Sequence, residues 1–141
     1  MPNRRATAEW RGDLKNGNGR IKFGDGRFDE TYSANSRFGD GKETNPEELI
    51  AAAHAGCFSM ALSNILAEAG NPPERVHTEA RVRLEKKNDG FTITVIHLQT
   101  EAKVPGIDND AFQKHADTAK VNCPVSKALA GCEIRLEAQL L

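Results

Sequence analysis

The stretch Asn45 to Gly70, NPEELIAAAHAGCFSMALSNILAEAG, limits the fold more than any other part of the chain. Asn45 suits an N-cap, because its side chain can accept from a free N–H of the first turn. Pro46 fits the first helical position, where a missing N–H costs nothing. Glu48, three residues after Asn45, completes a capping-box pattern. Gly70 suits the residue that ends a helix, and Pro72 and Pro73 bar continuation. Between these ends the helix is apolar nearly all round, through Leu49, Ile50, Ala51, Phe58, Met60, Leu62 and Ile65. Such a helix is expected to be buried, and its alanines with Gly56 permit another backbone to come close. Cys57 sits near its middle, either as a small hydrophobe in the core or as a reactive thiol.

The 141 residues suit one domain with a real core. With 19 basic and 20 acidic residues the formal net charge is -1, which gives no footprint for nucleic acid. No apolar run reads as long as a transmembrane span. The N-terminal MPNRRATAEWRGD has no apolar segment and so is not a secretory signal; the expected location is the cytoplasm. Three cysteines, Cys57, Cys123 and Cys132, are not a disulfide framework. In a reducing compartment a pair of them points to catalysis, redox chemistry or metal binding. No CxxC is present, so zinc ribbons and thioredoxin-type motifs have no support.

Along the chain, residues 4 to 13 alternate as a half-buried strand, with Ala6, Ala8 and Trp10 on one side. Asn16-Gly17-Asn18-Gly19 marks a hairpin turn, followed by short strands at Arg20–Phe23 and Arg27–Tyr32. The glycines here predict turns rather than a phosphate loop, because no helix follows. Ser33 to Thr44 reads as a loop carrying Arg37. After Gly70, Val76 to Glu85 alternates as a strand, Asn88-Asp89-Gly90 turns the chain, and Phe91 to Val104 returns with apolar residues on both faces for part of its length. A helix runs from Asp108 to about Val121, a short one from Cys123-Pro124 to Gly131, and Cys132 to Leu140 forms a closing strand. The order predicts an α+β fold of antiparallel sheet packed on helices, as one domain over residues 1–141.

Cys123 falls at the N-cap of the helix that Pro124 starts, where free N–H groups favour a thiolate; the alternative is a plain cap. Cys132 shares the packed face of Ile134 and Leu136 and reads as core. Glu47, in the first turn of the long helix, satisfies the helix dipole by itself, and Arg37 is a solvated charge unless it has a task. A reactive Cys57 would give it one, since a buried thiol needs an adjacent cation and an Arg held by a Glu is a fixed one. Ten residues of helix rise about 15 Å, however. Glu47 therefore reaches Cys57 only if the helix breaks or if two chains share the site; the apolar helix favours a dimer. His54 lies one turn before Cys57. It reads as a hydrogen-bonded interior histidine, with a Cys–His pair or a zinc site as alternatives that lack further ligands. His77, His97 and His115 read as surface or edge residues.

The central segment resembles that of the OsmC/Ohr family of osmotically inducible and organic-hydroperoxide-resistance proteins, the OsmC branch above all. AEWRGDLKNGNG, SRFGDGKETNPEEL and VPGID…CPVSKAL agree in order over nearly the whole chain. The resemblance implies an intertwined homodimer with active sites at the subunit interface and antiparallel sheets around a long buried helix. It implies a thiol-dependent peroxidase that reduces organic hydroperoxides, and hydrogen peroxide more weakly, in oxidative-stress defence. Cys57 then corresponds to the peroxidatic cysteine, Cys123 to the resolving cysteine, Arg37 to the active-site arginine and Glu47 to the glutamate that holds it. No cofactor or metal is implied, and no nucleic acid or membrane. The reductant is an external dithiol, with dihydrolipoyl groups as the candidate. Gly56, where the family commonly has alanine, and the additional Cys132 are departures. A non-enzymatic dimeric ligand-binding module, or a zinc site of Cys57, Cys123 and His54, are the competing readings.

Overall fold

A computed structural model describes residues 1–141. The chain divides into two compact units, Met1–Leu49 and Ile50–Leu141. In the first, β1 (Ala6–Arg11), β2 (Asn18–Phe23) and β3 (Phe28–Tyr32) form an antiparallel meander. The turn after β2 passes Asp25 at φ 55, between Gly24 and Gly26, so these glycines are turn residues as expected. Gly19 pairs with both Trp10 and Tyr32, and a Cβ there would collide with both rings. Its absence lets them meet edge to face, centroids 5.2 Å apart. The first strand is shallower than its alternation suggests: Trp10 is half-buried while Ala6 and Ala8 are exposed.

Ser33 to Thr44 is not all loop. A short helix, α1 (Ala34–Phe38), opens it, because Ser33 accepts from the Ser36 N–H while the Ser36 hydroxyl faces the Ser33 N–H. Two serines three apart make a capping box, a signal overshadowed by the polar, glycine-containing composition around it.

The long helix, α2, spans Pro46–Glu68 without a break. Asn45 Oδ1 accepts from the Glu48 N–H at 2.8 Å. At the other end Asn71 N–H donates to Leu66 O and Gly70 N–H to Ala67 O, with Gly70 at φ 89. That is a Schellman ending. By length and composition α2 is apolar enough to cross a membrane, contrary to the expectation that no run approached that length. Its alanines, with single polar residues such as His54, Ser59 and Asn64 between them, obscure the length of the run. Its apolar residues favour no one face. His54, Phe58, Leu62 and Leu66 are fully buried, whereas Met60 is 76% exposed. In the single chain the helix is thus buried along one line only, and a Cβ at Gly56 would meet nothing.

In the second unit, β4 (Arg75–Lys87) and β5 (Gly90–Lys103) pair antiparallel. The register slips between Arg83 and Leu84, which pair with Val95 and Ile93 and leave Thr94 over. That bulge shifts the alternation by one and explains why β5 reads as apolar on both faces. After β5 come α3 (Asn109–Asn122), capped by Asp108, and α4 (Pro124–Ala128), which stops short of the expected Gly131. The last strand, β6 (Glu133–Leu140), lies beside β5 and runs parallel to it. The all-antiparallel expectation fails at this strand, because the two helices form a crossover long enough to return the chain in the same direction. One core joins Phe58, Leu62 and Leu66 of α2, Ile96 and Leu98 of β5, and Phe112, Ala116 and Ala119 of α3. Cys132 packs against that core, and its Sγ donates to Leu129 O.

Candidate active site

Cys57 and Cys123 are brought together by α2 and the α3–α4 junction. Cys123 ends α3, donating its N–H to Ala119 O, and begins α4, where Pro124 takes the first helical position. Its side chain is fully buried, and that of Cys57 is half-buried. The two Sγ atoms are 2.9 Å apart, in hydrogen-bond contact, and both are free thiols. A disulfide, at about 2.05 Å, needs only a small further approach.

The two sulfurs are electrostatically unlike. Burial raises the Cys57 thiol, the contact with Cys123 raises it further, and the Val125 N–H only partly offsets this. Burial also pushes Cys123 up, but the contact with Cys57, the Ser126 N–H and hydroxyl and the Val125 N–H outweigh it, and the thiol sits below its ordinary value. The N–H groups make no full cap hydrogen bond to the sulfur, so they act on its charge at slightly longer range. Within one chain Cys123 is therefore the more readily ionised of the two. Cys132 is raised by burial.

His54 is fully buried, and its Nε2 lies 2.7 Å from Ser126 Oγ. It is the interior hydrogen-bonded histidine that its position suggested, and burial holds its pKa below the ordinary value. No group of three or more His, Cys, Asp or Glu side chains is arranged to hold a metal, so the zinc reading has no ligand set. His77 is exposed, and His97 and His115 are half-buried.

In the first unit Arg37 and Glu47 form a forked ion pair. Arg37 Nε lies 3.1 and 3.2 Å from the two carboxylate oxygens, and Nη2 lies 2.8 Å from Oε1. Glu47 is buried, while the Arg37 side chain keeps 35% exposure. Local bonds set this geometry: Ser36 Oγ donates to Thr44 O, and Asn45 Nδ2 donates to Ser36 O. They tie α1 to the start of α2. A pocket of about 350 Å³ beside Arg37 is lined by Trp10, Leu14, Tyr32 and Phe38, and the Arg37 guanidinium lies 5.5 Å from the Phe38 ring centre. Phe58 lies instead in the core and Met60 is exposed. Trp10 and Tyr32 are pocket residues that the sequence pattern does not single out. They come from strands, and only the Gly19 contact brings them together.

A family model for OsmC-like proteins matches residues 39–138. The chain belongs to the OsmC family. It is 48% identical over 138 residues to peroxiredoxin OsmC of Escherichia coli strain K12, covering 97% of this chain and 96% of that one. An organic hydroperoxide resistance protein-like chain of Staphylococcus aureus is 36% identical over 95 residues, 65% of this chain and 66% of its own. The crystal structure of the organic hydroperoxide resistance protein OhrB of Bacillus subtilis superposes with a TM-score of 0.69 at 28% identity, covering 97% of this chain and 98% of that one.

Proposed function

We propose that the chain is a thiol-dependent peroxidase that reduces organic hydroperoxides, and hydrogen peroxide more weakly, with Cys57 and Cys123 as its redox pair. The observation that carries this is the 2.9 Å approach of the two sulfurs at a helix junction, together with the E. coli relative that bears the name peroxiredoxin. Ionised Cys57 attacks the distal peroxide oxygen. An S–O bond forms, the O–O bond breaks, and the alkoxide leaves with a proton as alcohol, giving a sulfenic acid. The Cys123 thiolate attacks that sulfur, hydroxide leaves and is protonated to water, and an external dithiol, with dihydrolipoyl groups as candidate, reduces the disulfide. The setting is the cytoplasm, and residues 1–141 act as one OsmC-like domain.

Cys57 cannot ionise readily in the environment of its own unit, because burial and Cys123 both oppose it. Arg37, held by Glu47, supplies the missing cation. Since α2 is unbroken and ten helical residues rise about 15 Å, the pair serves Cys57 of a second chain. The functional form is then a homodimer with its sites at the interface, which covers the exposed apolar side of α2. The pocket of Trp10, Leu14, Tyr32 and Phe38 takes the organic group of the peroxide. Mixing unfolded Arg37→Ala and Cys57→Ser chains and refolding them tests this. Each variant alone is inactive, and the mixture regains a measurable fraction of turnover, because a mixed dimer has one complete site. A mixture as inactive as its parts contradicts the shared site.

A further inference from the structure

His54 is fully buried and ionisable, and the peroxidase cycle gives it no task. It belongs to a pair of rungs that join α2 to α4. One rung is Cys57–Cys123, and the other is His54–Ser126. His54 and Cys57 are three apart on α2, hence on one face, and Cys123 is the N-cap of α4 three residues before Ser126. Counting protons orients the second rung. Nδ1 of His54 is buried with no partner. A buried orphan N–H is rarer than an orphan acceptor, and burial keeps the ring neutral, so the proton sits on Nε2 and is donated to Ser126 Oγ. The Ser126 oxygen then has an acceptor role filled, and its own hydroxyl proton must go elsewhere. Three residues earlier, at the N-cap of α4, is the Cys123 sulfur, and the Ser126 hydroxyl is among the groups that favour its charge. The groups that act on that sulfur are Cys57 from α2 and Ser126 and Val125 from α4.

We propose that His54 is a positioning residue for Cys123: through Ser126 it holds a hydroxyl proton against the Cys123 sulfur and keeps that sulfur in the thiolate form that attacks oxidised Cys57. The attack itself rests on the peroxidase reading; the chain from His54 Nε2 through Ser126 Oγ to Cys123 Sγ does not. In the attack one S–S bond forms as the S–O bond of the sulfenic acid breaks, and the departing hydroxide takes a proton from solvent, so no further oxidant or reductant enters.

The test is a titration of Cys123 by thiolate ultraviolet absorbance in a Cys57→Ser/Cys132→Ser background, where it is the sole thiol. Ser126→Ala raises the Cys123 pKa by about one unit, since a hydrogen bond to a charged group is worth about 1.5–3 kcal/mol and one unit is 1.36 kcal/mol. His54→Asn, too short to reach Ser126, raises it in the same direction by less, and His54→Gln, whose amide reaches the Nε2 position, restores it. Circular dichroism confirms that each variant is folded, and Ser126→Ala, the smallest change, tests the chain if both histidine variants fail to fold. In the background with Cys57 intact, trapping of the Cys57 sulfenic acid by dimedone is unchanged while disulfide formation slows. An unshifted Cys123 in folded Ser126→Ala, or equal shifts in His54→Asn and His54→Gln, would overturn the proposal. Absence of peroxide turnover with the titration result intact would instead remove the peroxidase reading and leave the hydrogen-bond chain standing.

Discussion

Two thiols 2.9 Å apart do not ionise independently, because ionising both would set two charges in contact. Their surroundings decide which one ionises first: burial opposes both, but Cys57, Ser126 and Val125 together outweigh it at Cys123, whereas Val125 alone only partly offsets it at Cys57. The sequence announced both cysteines, one through the helix around it and one through the following proline. It could not announce Ser126 as the partner of His54, since 72 positions separate them and no local rule links the two. Arg37 and Glu47 were legible as a cation and an acid ten residues apart with a conceivable common task. Their forked contact follows from the Ser36, Thr44 and Asn45 hydrogen bonds, which only the folded backbone defines. His54 also leaves a mark on stability. Its folded pKa lies below the unfolded value of about 6.5, so between the two the unfolded chain binds more protons. Stability therefore falls as pH falls from about 6.5 towards the folded pKa, and above that window the group costs nothing. Urea melts at several pH values should show the wild type losing ground to His54→Gln on acidification; a constant difference would contradict a neutral buried ring.

At the scale of the element, the ends of α2 were readable because caps are local. Asn45 accepts from Glu48 N–H and also donates to Ser36 O, so Asn45→Ala should cost about 1–2 kcal/mol, the upper part of the range for a cap. Gly70 stands at φ 89, where a side chain costs roughly 1–2 kcal/mol; Gly70→Ala should destabilise by about that much. Denaturant melts measure both, and a neutral Gly70→Ala would contradict the left-handed ending. The direction of β6 was not readable. Its alternation places Ile134, Leu136, Ala138 and Leu140 on one face whichever way the strand runs, and only the α3–α4 crossover decides that it runs with β5. The bulge at Thr94 hid in the same way, as an apparent two-faced strand.

For the whole molecule the proposed homodimer rests on α2. Its apolar residues face all round, and a single chain buries one line of them. In the proposed homodimer a second copy covers that surplus and brings its Arg37–Glu47 pair to the thiols. The measurement that tests this account most directly is peroxide turnover with a dithiol reductant, comparing tert-butyl and cumene hydroperoxide with hydrogen peroxide, for the wild type and for Cys57→Ser, Cys123→Ser and Cys132→Ser. The account predicts turnover fastest with the organic peroxides, lost in the first two variants and near normal in Cys132→Ser, whose thiol is core-packed and raised by burial. Full activity in Cys57→Ser, or no turnover of any peroxide by the wild type, would contradict it.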